Sequence, residues 1–437
     1  MDRVVITGIG AVTPLGNKFN DSWSAAKAAK SGIKPITKFD VSDLPWRFAG
    51  ELKDFDAKTY LSQKETNRLD PFIQYAVAAS IMAAEDAGLI ERAESREQMV
   101  KWKKEKSYEI PEHDYLTSGG VIIGSSRGGI SGIEKALLRK QNSEPGNQST
   151  KRKSGNLHLS PYLMPSSTIS MASSYAAQLL GIKGYCLGIS NACASGANAI
   201  GEAYRLLKAG YRGPVIAGGS EAPVCRLCIE GYGVSGALSK INDSSASRPF
   251  DNKRDGFVLS EGACVIVLEN FDSAVKRGAN IYGEIIGYGN TNDAFHQTRP
   301  DSEGEARAIE TAMSEAGVVP SEVDYISAHG TSTPLGDRVE AEAIKKIFGG
   351  ISSTTPVSAV KSMTGHMLAA SGALEAAFTV MSIKESIIPP SINLIEKDRN
   401  CDINVITEKT EKKINVALSN SFGFGGVNAV LVLKRFL

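Results

Sequence analysis

The sequence predicts an α/β protein with mainly parallel sheets, and three observations carry that prediction. Short β-rich runs alternate with long helical patterns, as strand–crossover–strand units require. The strands are continuously apolar rather than alternating, which suits sheets covered on both faces. The alternation runs to about residue 270 and then begins again, so one α/β unit is read as used twice, over 1–270 and 271–437.

In the first succession, VVITGI (4–9), GGVIIGSS (119–126), CLGIS (186–190), PVIAGG (214–219) and ACVIVLE (263–269) read as strands. Helices are expected over Asp70–Ala87, Gly129–Arg139 and Ser195–Ala209. In the second, IYGEIIGYG (281–289), YISAHG (325–330), TPVSAV (355–360) and INVALSN (414–420) are the strands, with helices near 303–316, 337–348 and 367–384. TPLGN (13–17) and TPLGD (333–337) fall at different places in the two successions, and their likeness reads as chance. The polar segment 91–118, with KWKKEK at 101–106, reads as a surface excursion. So does 140–160, rich in Ser, Lys, Asn and Gly.

At 437 residues the chain can bury a substantial core, and 42% hydrophobic with 22% charged residues is ordinary for a globular protein. Lys plus Arg total 49 and Asp plus Glu 48, so no global charge selects nucleic acid or a membrane surface. Six cysteines in this length are too sparse for a disulfide scaffold and fit a reducing cytosol. The N-terminal stretch lacks the basic start and long apolar run of a signal peptide. The apolar stretch from Met367 to Ile383 is interrupted by Glu375 and reads as a buried helix rather than a membrane span. The expectation is a soluble, cytoplasmic protein.

The sharpest local signal is CLGISNACASGANAIGEAYRLL (186–207). An apolar strand meets a turn of small residues, and a helix rich in Ala and Gly follows. Cys193 falls at that turn, where free amides and the helix dipole are expected to stabilise a thiolate and lower its pKa. Its small neighbours leave room for a substrate carbonyl. Taken alone, a cysteine is more often a buried packing residue, and Cys193 by itself does not settle the matter.

A nucleophilic cysteine needs a proton-handling partner. His329 and His366 each lie just past an apolar strand, where open α/β sheets place their active sites. His113, His158 and His296 lie in polar stretches and read as solvated or structural. Lys361, five residues before His366, reads either as paired with Glu375 or as a direct participant. LSNSFGFGGVNA (418–429) is a strand entering a glycine-rich turn, whose amides either face an oxyanion or merely close the turn.

Taken together, these strings resemble the elongating type II β-ketoacyl-acyl-carrier-protein synthases of the thiolase superfamily. The resemblance spans nearly the whole chain: VVITGIGAVTPLGN, RPFDNKRDGFVLSEGACVIVLE, NDAFHQTRP, HGTSTPLGD, KSMTGH and NSFGFGGVNA, in that order. It implies a five-layered αβαβα fold of two duplicated halves and a homodimer. It implies decarboxylative condensation of a cysteine-bound acyl chain with a malonyl thioester. No metal or redox cofactor is implied, since both substrates ride on the phosphopantetheine arm of an acyl carrier protein.

By the same resemblance Cys193 is the acylated nucleophile, and His329, His366 and Lys361 complete the catalytic set. Asp337, Glu340 and Glu375 are supporting acids. Phe424 is a gate whose amide joins that of Cys193 in the oxyanion hole. Thr331 and Thr333 bind the phosphopantetheine arm, with Thr298 as a further contact. Lys64 and Arg68 face the acidic carrier protein.

Three residues depart from the family's pattern. Arg127, in GSSRGG (124–129), stands where the family shapes the far end of the acyl pocket, which implies a short, polar or unusual primer unless the guanidinium turns to a carboxylate or the subunit boundary. Val427 replaces a common threonine, and Asn191 stands where threonine is usual. A non-catalytic chain-length partner would lack Cys193, and relatives that skip decarboxylation change one histidine. Within the elongators, fatty-acid synthesis is the main expectation and a specialised polyketide or polyene ketosynthase the alternative. A dinucleotide-binding reading fails because neither GIGAVTPLG nor GSSRGG has the spaced glycines and the later acid. A zinc site at Cys225 and Cys228 lacks a second ligand pair.

Overall fold

Every apolar run named above becomes a strand of one sheet in the computed structural model, which describes residues 3–91, 115–141 and 159–436. The two expected surface excursions lie outside the described residues except at their ends, as do His113 and His158. The strands are β1 Val4–Val12, β2 Gly120–Gly124, β3 Cys186–Ile189, β4 Val215–Glu221, β5 Gly262–Asn270, β6 Gly283–Asn292, β7 Tyr325–Ser327, β8 Pro356–Ser358, β9 Asn404–Val405, β10 Val416–Gly423 and β11 Val427–Lys434. The principal helices are α1 Phe19–Lys27, α2 Pro71–Asp86, α3 Ile130–Gln141, α4 Met171–Leu180, α5 Ser195–Lys208, α6 Arg226–Val234, α7 Ser302–Ala316, α8 Pro334–Phe348 and α9 Ala369–Glu385.

The sheet order is β9-β8-β7-β10-β11-β6-β1-β5-β4-β2-β3. Read outward from the β1–β6 pairing, both sides follow one order, β1, β5, β4, β2, β3 on one and β6, β11, β10, β7, β8 on the other, where the two-residue β9 adds a further edge strand. The sheet is not mainly parallel, and that expectation is corrected. Its flanks are parallel, β4–β2–β3 on one side and β10–β7–β8–β9 on the other. The centre, from β4 through β5, β1, β6 and β11 to β10, is antiparallel throughout. There the chain returns by a direct reversal, as at the Gly423–Val427 hairpin, and needs no crossover helix.

Three apolar cores make five layers. Outward-facing Val265 and Val267 of β5 pack with Phe72, Ile73 and Ile81 of α2. Their neighbours Ile266 and Leu268 face the opposite way and join α5 and α9 through Ile200, Tyr204 and Phe378. On the far side, Val430 and Val432 of β11 pack with Ile309 and Met313 of α7 and Ile344 of α8. Alternate residues of each strand therefore supply two different cores, which is why the strands read as continuously apolar. Helix α9, buried from Ala369 to Ile383, is the interior of the sandwich, and no helix among the described residues is long and apolar enough to cross a membrane.

The outer helices sit unusually close to the sheet. A Cβ on Gly8 of β1 would lie 2.3 Å from the Ala83 carbonyl of α2, and one on Gly287 of β6 would lie 2.2 Å from the Ala312 carbonyl of α7. Each approach needs a residue with no side chain. The two contacts occupy equivalent places in the two successions.

Candidate active site

Strand ends deliver the functional groups. β3 stops at Ile189, and a 3-10 turn, Ala192–Ala194, carries Cys193 to the start of α5. Ala192 adopts φ 47°, a left-handed conformation that is costly for a residue with a Cβ. β7 stops at Ser327 just before His329, and β8 stops at Ser358 before Lys361 and His366. Leu368, two residues past His366, is again left-handed at φ 47°. β10 ends at Gly423 and hands over to Phe424.

The structure brings these residues together. His366 Nε2 lies 3.0 Å from Cys193 Sγ. A nitrogen of each imidazole and the sulfur all fall within 4.8 Å of one another. The two imidazole rings meet edge to face, with centroids 5.5 Å apart. Phe422 closes over His329 at 6.0 Å and Phe257 over His366 at 5.2 Å, both edge to face. The Phe424 amide donates to the Cys193 sulfur.

Behind the imidazoles stands a buried ion pair of Lys361 and Glu375, each 1% exposed. Lys361 Nζ also donates to the His329 carbonyl oxygen at 2.6 Å and lies 3.2 Å from His329 Nδ1. An ammonium can only donate, so Nδ1 is the acceptor and the ring proton sits on Nε2. Of the two alternatives the sequence left for Lys361, pairing and positioning is the one its contacts describe. Glu340 accepts from the amides of His329 and Gly330, both at 2.8 Å, and fixes the backbone of the same histidine. Asp337 accepts from Phe250 N at 2.8 Å and Ser332 N at 3.0 Å, and faces Arg254.

Burial dominates the electrostatics. It pushes the Cys193 thiol up to about 11, against the opposing pull of Lys361 and the Phe424 amide. The expectation of a lowered thiol pKa is therefore corrected. Cys193 is 8% exposed among apolar neighbours, and the turn's backbone donors do not recover what desolvation costs the thiolate. Both imidazoles are held well below their ordinary value, first by burial and then by the Lys361 charge, so they are neutral N–H donors. Burial likewise raises Glu375 and Asp337 to about 7, despite Lys361 and Arg254 beside them.

A cavity of about 370 Å3 opens on this group and is lined also by Thr298, Thr331, Thr333 and Arg127. The Thr331 and Thr333 hydroxyls are 3.0 Å apart, and Thr333 also caps α8 by accepting from Gly336 N at 3.2 Å. Phe424 lines the same cavity, 38% exposed. Lys64 and Arg68 lie exposed outside it, on and just after a short helix.

Several functional neighbours escaped the sequence reading. Ser371 Oγ lies 3.2 Å from His366 Nδ1, Tyr232 meets Arg127, and Phe257 and Phe422 wall the histidines. Phe257 and Phe422 lie inside quoted motifs, so only the side-chain packing was hidden. Tyr232 and Ser371 carried no local signal.

The Cys193–His329–His366 group is also compact enough for a soft metal ion. The Lys361 cation against His329 Nδ1 opposes a divalent charge there, and a carbonyl oxygen is the better match to two N–H donors. Cys225 and Cys228 share a hydrogen bond but gain no third ligand among the described residues.

The chain as a whole is similar to known proteins. The family described as "Beta-ketoacyl synthase, N-terminal domain" matches residues 1–274, and its C-terminal domain matches 282–395. The 3-oxoacyl-[acyl-carrier-protein] synthase 2 of Coxiella burnetii is 44% identical over 99% of this chain and 98% of its own length. Its counterparts from Synechocystis and Staphylococcus aureus are 43% and 41% identical with the same coverage. Among solved structures, the ishigamide ketosynthase/chain length factor superposes with a TM-score of 0.87 at 32% identity, covering all of both chains. A type II polyketide ketosynthase in complex with its acyl-carrier protein superposes with 0.83 at 31%, again over all of both chains. A β-ketoacyl synthase from Burkholderia phymatum gives 0.85 at 32% with the same full coverage.

Proposed function

The chain belongs to the β-ketoacyl synthase family, and from that premise we propose that it condenses a Cys193-bound acyl chain with malonyl-acyl-carrier protein in fatty acid biosynthesis. The product is a 3-oxoacyl-acyl-carrier protein, with carbon dioxide released. The observation that carries the proposal is the sulfur 3.0 Å from one of two facing neutral imidazoles, on a cavity lined by both.

The reaction runs in two stages. In the first, Cys193 sulfur attacks the carbonyl of an acyl-carrier thioester, and its proton leaves with the carrier thiol. The amides of Cys193 and Phe424 hold the oxyanion of the tetrahedral intermediate. The buried thiol is protonated at rest, so the entering thioester must draw the charge into the oxyanion hole as the sulfur gives up its proton. In the second stage a malonyl thioester occupies the vacated arm site. Its carboxylate leaves as carbon dioxide, and the freed electron pair forms an enolate whose oxygen accepts from Nε2–H of His329 and His366. The enolate carbon attacks the Cys193 thioester, and the tetrahedral adduct collapses with release of the sulfur. Lys361 keeps His329 in the donor tautomer, supported by Glu375, while Glu340 and Asp337 hold the surrounding backbone. Thr331, Thr333 and Thr298 receive the phosphopantetheine arm, and no metal or redox cofactor takes part.

Exposed Lys64 and Arg68 support docking of an acidic carrier protein. The exposed edge strand β3, with Leu187 and the preceding Tyr185 open to solvent, supports a homodimer formed edge to edge. The repeated strand order supports halves spanning 1–270 and 271–437. We place the protein in the cytoplasm, where the carrier substrates are made. The test is mass spectrometry after exposure to acyl-carrier thioesters, followed by malonyl-carrier protein. An acyl adduct on Cys193 that disappears into a 3-oxoacyl product is expected. Cys193→Gln is expected to lose condensation while still releasing carbon dioxide from malonyl-carrier protein, and loss of both in a folded variant would count against separate roles for sulfur and imidazoles.

A further inference from the structure

The cavity that holds the reacting centre is also lined by a polar pair, Arg127 and Tyr232. Arg127 Nε donates to Tyr232 Oη at 2.7 Å, and the guanidinium carbon lies 5.1 Å from the Tyr232 ring centre. The Tyr232 ring packs edge to face on Phe257 at 5.5 Å, and Phe257 in turn on His366. A continuous row of rings thus joins the reacting centre to the guanidinium.

Arg127 is held from behind. Its backbone N–H donates to Glu221 Oε1 at 3.1 Å, and the hydroxyls of Ser125 and Ser126 donate to the same fully buried carboxylate. Glu221 is thereby occupied with the turn and makes no ion pair with the guanidinium. Among the described residues no carboxylate does, and the Nε–Tyr232 bond is the only hydrogen bond of the Arg127 side chain. The terminal nitrogens, with four N–H donors in a planar fork, meet no protein acceptor among the described residues and stay open to solvent at the edge of the cavity. Such a fork matches a carboxylate, which can take two parallel hydrogen bonds.

Resting on the proposed condensing activity, we infer that Arg127 and Tyr232 form the end wall of a short primer pocket, and that the primer it selects is a short acyl chain ending in a carboxylate. The thioester end meets Cys193, the methylenes lie along Phe257 and Tyr232, and the distal carboxylate takes the free fork of Arg127. A long saturated chain must instead press a methyl group against this cation and strip its water without replacing the lost hydrogen bonds, which is costly.

The experiment measures the rate of Cys193 acylation from three carrier thioesters, glutaryl, hexanoyl and dodecanoyl, by intact-protein mass spectrometry. Glutaryl is expected to acylate at least tenfold faster than hexanoyl, and dodecanoyl slowest of the three. Arg127→Leu should erase the glutaryl preference and speed the dodecanoyl reaction. Tyr232→Phe, which keeps the ring and removes the hydroxyl, should weaken the preference without abolishing acylation. Equal rates for all three chains in the unmodified enzyme would overturn the inference and leave the condensing reading intact. An unchanged preference in a folded Arg127→Leu variant would overturn it too. Failure of every chain to acylate Cys193 would remove the underlying reading itself.

Discussion

Ser371 Oγ accepts the Met367 amide at 2.9 Å and lies 3.2 Å from His366 Nδ1. Its hydroxyl proton has no other acceptor among the described residues, so it points to the ring and leaves the imidazole proton on Nε2, facing the sulfur. Lys361 does for His329 with a charge what Ser371 does here with a neutral hydroxyl. Ser371→Ala should therefore lower kcat for malonyl decarboxylation about tenfold, the worth of one buried hydrogen bond, with little change in KM. Ser371→Thr, which keeps the hydroxyl, should restore most of it. A variant that loses thermal stability but not turnover would assign Ser371 to packing alone.

Among the described residues Lys361 is the only cation in contact with either imidazole, and its removal strands two partners at once. Lys361→Ala leaves Glu375 buried without a counter-charge and frees the His329 tautomer. The cost expected in folding stability is about 3–5 kcal/mol at neutral pH. Glu375 titrates near 7 in the folded protein, above its unfolded value, so without Lys361 the carboxyl is expected to take up a proton and recover part of that loss. Denaturant melts at pH 6 and pH 8 should accordingly show the variant relatively better off at pH 6. Its turnover should stay low at both.

Cys193 should be a slow thiol until substrate arrives. With the thiol pushed up to about 11, the thiolate fraction at pH 7 is about one in ten thousand. Iodoacetamide should thus react slowly at pH 7, its rate rising roughly tenfold per pH unit up to pH 10. The folded pKa exceeds the unfolded one, so the thiol's contribution to stability is present below about pH 8.5 and lost as pH climbs to 11. Cys193→Ser should flatten both trends. A rate already at plateau by pH 7 would contradict the buried, protonated resting state.

Gly8 and Gly287 offer a matched pair of stability tests. Adding a methyl to either must displace a helix carbonyl that now lies 2.3 or 2.2 Å from the new atom. Each substitution to alanine should cost about 1–3 kcal/mol, read as a fall in melting temperature. The two losses should add, since they lie in different outer layers.

Much of this molecule was legible from its residues. The continuous apolar runs identified all nine expected strands, because alternate side chains really do enter two different cores. The motif order brought Cys193, His329, His366, Lys361 and Phe424 to one place. What escaped was long-range. Strand direction is set by which neighbours pair, and nothing local in β5 or β11 announces an antiparallel partner. α1, α4 and α6 are short and rich in small or polar residues, so their helical period is weak. The internal repeat was present but faint, as GIG in β1 and GYG in β6, where helix contact demands bare backbone. The thiol pKa was misjudged because a helix start is visible in sequence and the depth of its burial is not.

The left-handed backbone at Ala192 and Leu368 has a further meaning for anyone reshaping this enzyme. Both residues hold conformations the free chain would abandon, so the surrounding fold spends stability to keep the sulfur and His366 aimed. A glycine at either position would relieve that tension and could raise the melting temperature. It would also let the reacting atoms drift. Selection for ruggedness alone would tend to find these two positions early, and would trade away turnover to get there.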